Sequence, residues 1–191
     1  MFDWLKSKSL MCEMRSVIGI GLILFLVAAC TNGSMGWVGK QYMYGFNFSA
    51  VRHMRNIEIQ DCEFQTVRPG YGIRCRKFDG YPLQQHSQAG LMYPPSFLIV
   101  QWIDTNTHKS YQAKADLKAG MPKDFKYEDL NDITFVCDRD LLEVFLISKR
   151  LRPSDWPIDG PYSIQNETGE RIYFYDIYKV YKIASVKADS K

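Results

Sequence analysis

Apolar positions recur with period two through most of the chain after residue 41, the pattern of strands that bury one face. In "QYMYGFNFSA", Tyr42, Tyr44, Phe46 and Phe48 fall on one side. In "NIEIQDCEF", Ile57 and Ile59 oppose Glu58 and Gln60. "TVRPGYG" reads as a turn and "GIRCRKF" as a short returning strand. From Phe97 to Asp104, Leu98, Val100 and Trp102 alternate with Phe97, Ile99 and Gln101. Beyond the turn "TNTHK", Tyr111, Ala113, Ala115 and Leu117 alternate with Gln112, Lys114 and Asp116, which completes a hairpin. A second hairpin runs through "ITFVCDRDLLEVFLIS" and turns at Asp138-Arg139-Asp140, with Leu142, Val144 and Leu146 opposite Glu143, Phe145 and Ile147. The last strand is predicted in "RIYFYDIYKVYKI", with Tyr173, Tyr175 and Ile177 on one face and Ile172, Phe174, Tyr178 and Val180 on the other.

Between these runs the period disappears. Residues 79–95, rich in Gly, Pro, Gln and Ser, read as a loop. "GMPKDFKYEDL" has room for one or two helical turns around Asp124 to Leu130, and residues 149–161 form an irregular segment with three prolines. The pattern predicts a mainly β fold, an antiparallel β-sandwich or a curved sheet, with a signal helix at the amino terminus and little other helix.

The amino-terminal stretch follows a different rule. Val17 to Ala29 is apolar, but at about 1.5 Å per residue a helix of that length falls well short of the roughly 30 Å of hydrocarbon. Arg15, the apolar run and Ala28-Ala29 have the order of an export signal, and Met11 or Met14 is an alternative start. "Val27-Ala28-Ala29-Cys30" resembles the bacterial lipobox, in which the cysteine is diacylated and becomes the new amino terminus. The resemblance implies a covalent lipid (a palmitate-type acyl anchor) on Cys30; two or more acyl chains anchor a protein where one holds it only marginally. A plain signal with a chance cysteine is one alternative reading, and a buried core helix, for which the flanks are wrong, is another. Residue 31 is Thr rather than Asp, which in enterobacterial lipoproteins implies the outer membrane, facing the periplasm. The expected organisation is a signal peptide over residues 1–29, lipidated Cys30 with a flexible tether over 30–40, and a single β-rich periplasmic domain over 41–191.

That location changes the reading of the cysteines. Cys62, Cys75 and Cys137 would remain in a compartment that permits disulfides. Cys62 with Cys75 is the nearest pair and would staple "EFQTVRPGYGIR", a contribution of roughly 3 kcal/mol. Cys75 with Cys137, or three reduced thiols, are also open. Cys137, inside "ITFVCD", suits a small buried hydrophobe.

Charge and motifs then narrow the function. The net charge is +3, and the segment through Ala29 carries three cations against two carboxylates, which leaves the rest near +2. No Lys/Arg block marks a nucleic-acid partner. His53, His86 and His108 share no local motif with a carboxylate or cysteine, and no nucleophile elbow, metalloprotease helix, phosphate loop or metal-ligand spacing occurs. We therefore expect no enzyme, no catalytic residues, no metal and no cofactor beyond the lipid on Cys30. Aromatics make up 14% of the chain and suit either strands or a recognition surface. Two aromatic loop segments, "GLMYPP" and "DWPIDGPY", single out Met92, Tyr93, Trp156 and Tyr162 as partner-binding candidates.

The lipobox, "PLQ…PPSFLIVQWIDTNTHKSYQAKADL" and "ITFVCDRDLLEVFLIS" together resemble immunity lipoproteins encoded beside type VI secretion phospholipases. The resemblance implies a periplasm-facing lipoprotein that binds and neutralises a phospholipase toxin, and it assigns no contact residue. The alternative is a structural or assembly lipoprotein of the envelope or of a secretion machine.

Overall fold

The computed structural model describes residues 39–49, 54, 56–76, 83–165 and 170–190. The expected signal, Cys30 and the tether as far as residue 38 lie outside them, as does His53. One compact unit runs from Lys40 to Lys191. Its strands are β1 (Tyr42–Ser49), β2 (Ile57–Thr66), β3 (Gly72–Arg76), β4 (Gln85–Met92), β5 (Pro95–Asp104), β6 (Lys109–Asp116), β7 (Leu130–Asp138), β8 (Leu141–Leu151), β9 (Tyr162–Gln165), β10 (Glu170–Tyr173), β11 (Tyr178–Lys187) and β12 (Asp189–Ser190). The helical turns expected before β7 shrink to a 3-10 helix over Tyr127–Asp129.

Two five-stranded sheets share the core, with strand orders β11-β8-β7-β1-β4 and β12-β6-β5-β2-β3. β9 and β10 form a separate hairpin. The alternating positions meet between the sheets: Phe46, Phe48, Phe135, Val144 and Leu146 come from the first, and Phe64, Leu98, Val100, Trp102 and Ala115 from the second. Phe46 stacks on Phe64 with ring centroids 4.6 Å apart. Two polar tips in this core find backbone partners, as buried donors must. Trp102 Nε1 donates to Arg139 O at 2.7 Å, and Tyr44 donates its hydroxyl to Tyr93 O at 2.6 Å.

β2 keeps one face inward by a change of phase. Ile57 and Ile59 are buried, the register with β5 shifts between Ile59 and Asp61, and Cys62, Phe64 and Thr66 then take over the buried face. An extra residue at that point is a β-bulge, which re-aims the strand without breaking it. Cys62 and Cys75 sit opposite each other on β2 and β3, 5.0 Å apart at Cα, and form a disulfide. Cys137 is a buried free thiol, and its backbone N–H donates to Met54 Sδ at 2.9 Å.

Three sequence expectations need correction. Residues 79–95 are not all loop, because Gln85–Met92 form β4, paired along its length with β1. At the sheet margin most β4 side chains are exposed, so small and polar residues are tolerated there and no hydrophobic period marks the strand. The carboxy-terminal aromatic run is not one strand, since residues 174–177 form a turn between β10 and β11. Long-range bonds hold that turn: Phe174 N–H donates to Pro161 O at 3.1 Å, and Arg152 N–H and Nε donate to Ile177 O and Asp176 O at 2.9 and 2.7 Å. Tyr173, Tyr175 and Ile177 therefore share no strand face. Nor is every pairing antiparallel, because β1 runs parallel to β7 over Gly45↔Asp132, Phe46↔Ile133 and Asn47↔Thr134.

Two glycines give opposite expectations. A Cβ on Gly120 would lie 1.7 Å from Ile183 O, whereas nothing stands within 4 Å of one on Gly90. Gly120→Ala should destabilise the domain by about 1–3 kcal/mol and Gly90→Ala by less than about 0.5 kcal/mol, both read from urea unfolding. In the same assay, replacing Cys62 and Cys75 together by Ser should cost about 3 kcal/mol under non-reducing conditions.

Candidate functional site

The four aromatic-loop candidates are fixed to the body of the domain to different degrees. Met92 ends β4 opposite Tyr42 and packs on the core. Tyr93 is buried; its carbonyl accepts the Tyr44 hydroxyl, its own hydroxyl bonds the Arg68 guanidinium, and Tyr71 packs edge-on at 5.3 Å. Trp156 donates Nε1 to Val180 O at 3.3 Å, packs edge-on against Tyr181 at 5.3 Å, and carries the Lys179 ammonium 3.8 Å from its ring centre. Tyr162 opens β9, 5.6 Å from the Tyr173 ring, with the Arg171 guanidinium over its own ring. Tyr93 and Trp156 thus clamp their segments down and do not project as free anchors. Met92 and Trp156 stand at the two ends of a relay of half-buried rings, through Tyr42, Tyr127, Phe125 and Tyr181.

Tyr162 also lines a cavity of about 500 Å³ with Gly160, Phe145, Val136, Asp104, Asp138 and Glu143. Two of its carboxylates, Asp104 and Glu143, already have partners. Asp104 Oδ1 accepts the N–H groups of Asn106 and Thr107 at 2.9 and 3.3 Å, which shapes the β5–β6 turn. Glu143 pairs with Lys182 at 2.8 Å. Asp140 pairs with Lys187 at 3.5 Å, and Arg139 takes a φ of 51°, so Asp138-Arg139-Asp140 is a tight hairpin turn. His108, with a φ of 54°, likewise sits in a turn. The Cys137 thiol at the back of the cavity is pushed up by burial, which favours its neutral form. Among the described residues no cluster of three His, Cys, Asp or Glu side chains has the geometry of a metal site.

The strands themselves expose apolar surface. Met43 on β1 and Leu91 on β4 are direct cross-strand neighbours, 56% and 62% exposed. They lie on the face of the first sheet turned away from the core, since their chain neighbours Tyr42, Tyr44 and Met92 pack on it. Leu151 and Ile177, 72% and 59% exposed, meet where β8 ends and β11 begins. Lys149 lies between, donating Nζ to Met43 O at 3.2 Å and to Glu128 O at 3.0 Å. Beside Met43 and Leu91, β4 carries no charge from Gln85 to Met92 and, among the described residues, pairs with β1 alone. This surface is built on strands at Met43 and Leu91, neither of which is among the four aromatic-loop candidates. The signal for it was an apolar Met43 at an outward position of an alternating strand.

A polar cluster pins the 174–177 turn onto the same face. Asp132 accepts from Asn47 Nδ2 at 3.0 Å and from Asn131 Nδ2 at 3.1 Å, and Tyr175 donates its hydroxyl to Asn47 Oδ1 at 3.2 Å. A Cβ on Gly45 would lie 2.0 Å from Asp132 Oδ1, so the glycine leaves the room this carboxylate occupies. Burial raises the Asp132 pKa, and the Asn47 bond only partly opposes it.

Comparison with protein-family models, with curated proteins and with solved structures finds no match for this chain.

The raised Asp132 pKa has a defined sign. The unfolded carboxyl loses its proton first, so the group's contribution to stability is fully present below its unfolded pKa and is lost as pH rises through the folded one. Asp132→Asn removes that dependence. Urea unfolding of the two proteins from acid to neutral pH should show the variant gaining stability relative to the wild type as pH rises.

Proposed function

We propose that this chain is an outer-membrane lipoprotein, anchored through Cys30 and facing the periplasm, that binds and neutralises a type VI secreted phospholipase and is not itself an enzyme. In this reading the two packed sheets form a sandwich behind an amino-terminal signal helix. The anchor rests on "Val27-Ala28-Ala29-Cys30" and the class of partner on the resemblance of the hairpin segments. The observation that carries the binding role is the exposed Met43–Leu91 pair beside the uncharged margin of β4. Apolar surface next to an edge strand suits a protein partner, which gains affinity from side-chain burial and from main-chain hydrogen bonds along the edge. Met92, Tyr93, Trp156 and Tyr162 take a supporting part, holding the segments that frame this face.

The same edge favours one other reading, an assembly lipoprotein whose sheet is extended by a neighbouring envelope component. Two experiments separate the two. The phospholipase encoded beside this chain should be retained by the wild-type protein in a pull-down, and cells that export the protein should survive the toxin. Leu91→Lys combined with Met43→Glu should weaken the complex by about 2 kcal/mol or more without lowering the thermal midpoint. No binding and no protection, together with an envelope defect on deletion, would sink the immunity reading and leave the assembly one.

A further inference from the structure

We infer that the end of the domain at which the chain arrives from residue 39 is a docking face for an anionic phospholipid surface, with a basic pocket that receives the headgroup phosphate. The inference rests on the proposed anchor at Cys30.

The pocket has a volume of about 300 Å³ and is lined by Lys123, Lys126, Arg150 and Lys179 over the rings of Phe125 and Tyr181. Its charges are unequally matched. Arg150 pairs with Asp129 at 2.5 Å, whereas Lys123 and Lys126 are exposed and have no ion pair among the described residues. Lys179 rests on Trp156, so its charge is not neutralised. Lys40 and Lys149 join the same end through Glu128, the first by an ion pair at 2.5 Å and the second by a bond to its carbonyl. These six cations face three carboxylates, Asp124, Glu128 and Asp129. The local excess of three therefore exceeds the net charge near +2 that remains once residues 1–29 are removed. Beneath them runs the ring relay from Tyr42 to Trp156. Lysines and arginines over Tyr and Trp rings match a bilayer interface, where the cations meet phosphate and the rings sit at headgroup depth.

Covalent geometry points to the same source of phosphate. Lys40 is the first residue of the compact unit. Ten peptide steps from Cys30 reach at most about 35 Å, so an anchor there would keep the Lys40 end close to lipid. That reach lets the basic face come within a Debye length of an anionic leaflet, where the surface potential favours each Lys or Arg by about fivefold.

The test reconstitutes the full chain in vesicles of phosphatidylcholine alone and of phosphatidylcholine mixed with phosphatidylglycerol, and follows amide hydrogen exchange. Exchange over residues 122–127 and 179–181 should slow by about fivefold or more in the anionic vesicles. Lys123→Glu with Lys126→Glu should abolish the slowing while the thermal midpoint holds. Equal exchange in both vesicles would overturn the inference. So would equal slowing by inorganic phosphate added to phosphatidylcholine vesicles, which would assign the pocket to free phosphate. Mass spectrometry of the mature amino-terminal peptide decides the anchor separately. An unmodified Cys30 with the phosphatidylglycerol effect intact removes the anchor and keeps the docking face, and a lipidated Cys30 without the effect does the reverse.

Discussion

The parallel pairing of β1 with β7 holds the first sheet together. It joins Gly45 to Asp132 across nearly half of the chain and spans three residue pairs, yet β4 reaches the rest of its sheet through β1. So short a ladder needs support from both faces. On the inner face Phe135 packs against Phe48 and Phe46, with centroids 4.6 and 6.1 Å apart. On the outer face Asn47 binds the Asp132 carboxylate in the space that Gly45 leaves open. Partly burying a carboxylate is unfavourable, and two amide donors offset part of that cost. Parallel neighbours also require a long crossover. Here the chain visits the second sheet twice, through β2–β3 and β5–β6, before β7 arrives. Most stabilising contacts are consequently distant in sequence, an arrangement that slows folding.

That constraint explains which parts of the fold were legible in the sequence. β2, β5, β6, β7 and β8 pack one face into a common core, so the alternation of Leu98-Val100-Trp102 and Leu142-Val144-Leu146 states their burial directly. β4 has a single partner among the described residues and little buried surface, so Gln85 to Met92 carries no such pattern. The aromatic run through Tyr173 and Tyr175 continues an alternation that the chain does not use. Bonds from Arg152 and to Pro161, whose position depends on the completed fold, bend it into a turn. The parallel register is equally invisible, because period two carries no information about strand direction.

The aromatic candidates show the same division. Sequence composition points to Trp156 and Tyr93 as large aromatics in irregular segments, and large aromatics are what interfaces favour. They are also what a small domain uses to fasten its loops, and the bonds from Trp156 to Val180 and between Tyr93 and Tyr44 serve that purpose. With those rings committed, two pairs of exposed apolar side chains remain between neighbouring strands, Met43 with Leu91 on β1 and β4, and Leu151 at the end of β8 with Ile177 in the turn before β11. Neither pair is adjacent in sequence. Each becomes a patch only when β1 meets β4 or β8 meets β11.

Charge follows the same logic and carries it further. A net +3 on 191 residues is mild when averaged over the chain, and averaged charge speaks to solubility and non-specific binding more than to a site. The fold redistributes it. Lys40 comes from the start of the domain, Lys123 and Lys126 from the segment before the 3-10 helix, Lys149 and Arg150 from the end of β8, and Lys179 from the start of β11. β1 and β7 run in the same direction while β8 runs against them, so the first residues of β1 and β7 and the last of β8 lie at one end of the sheet. The parallel pairing that closes the sheet is therefore also what gathers this charge. Had β1 joined the sheet antiparallel to β7, Lys40 would stand at the opposite end from Arg150, and the excess of three would be divided between two ends.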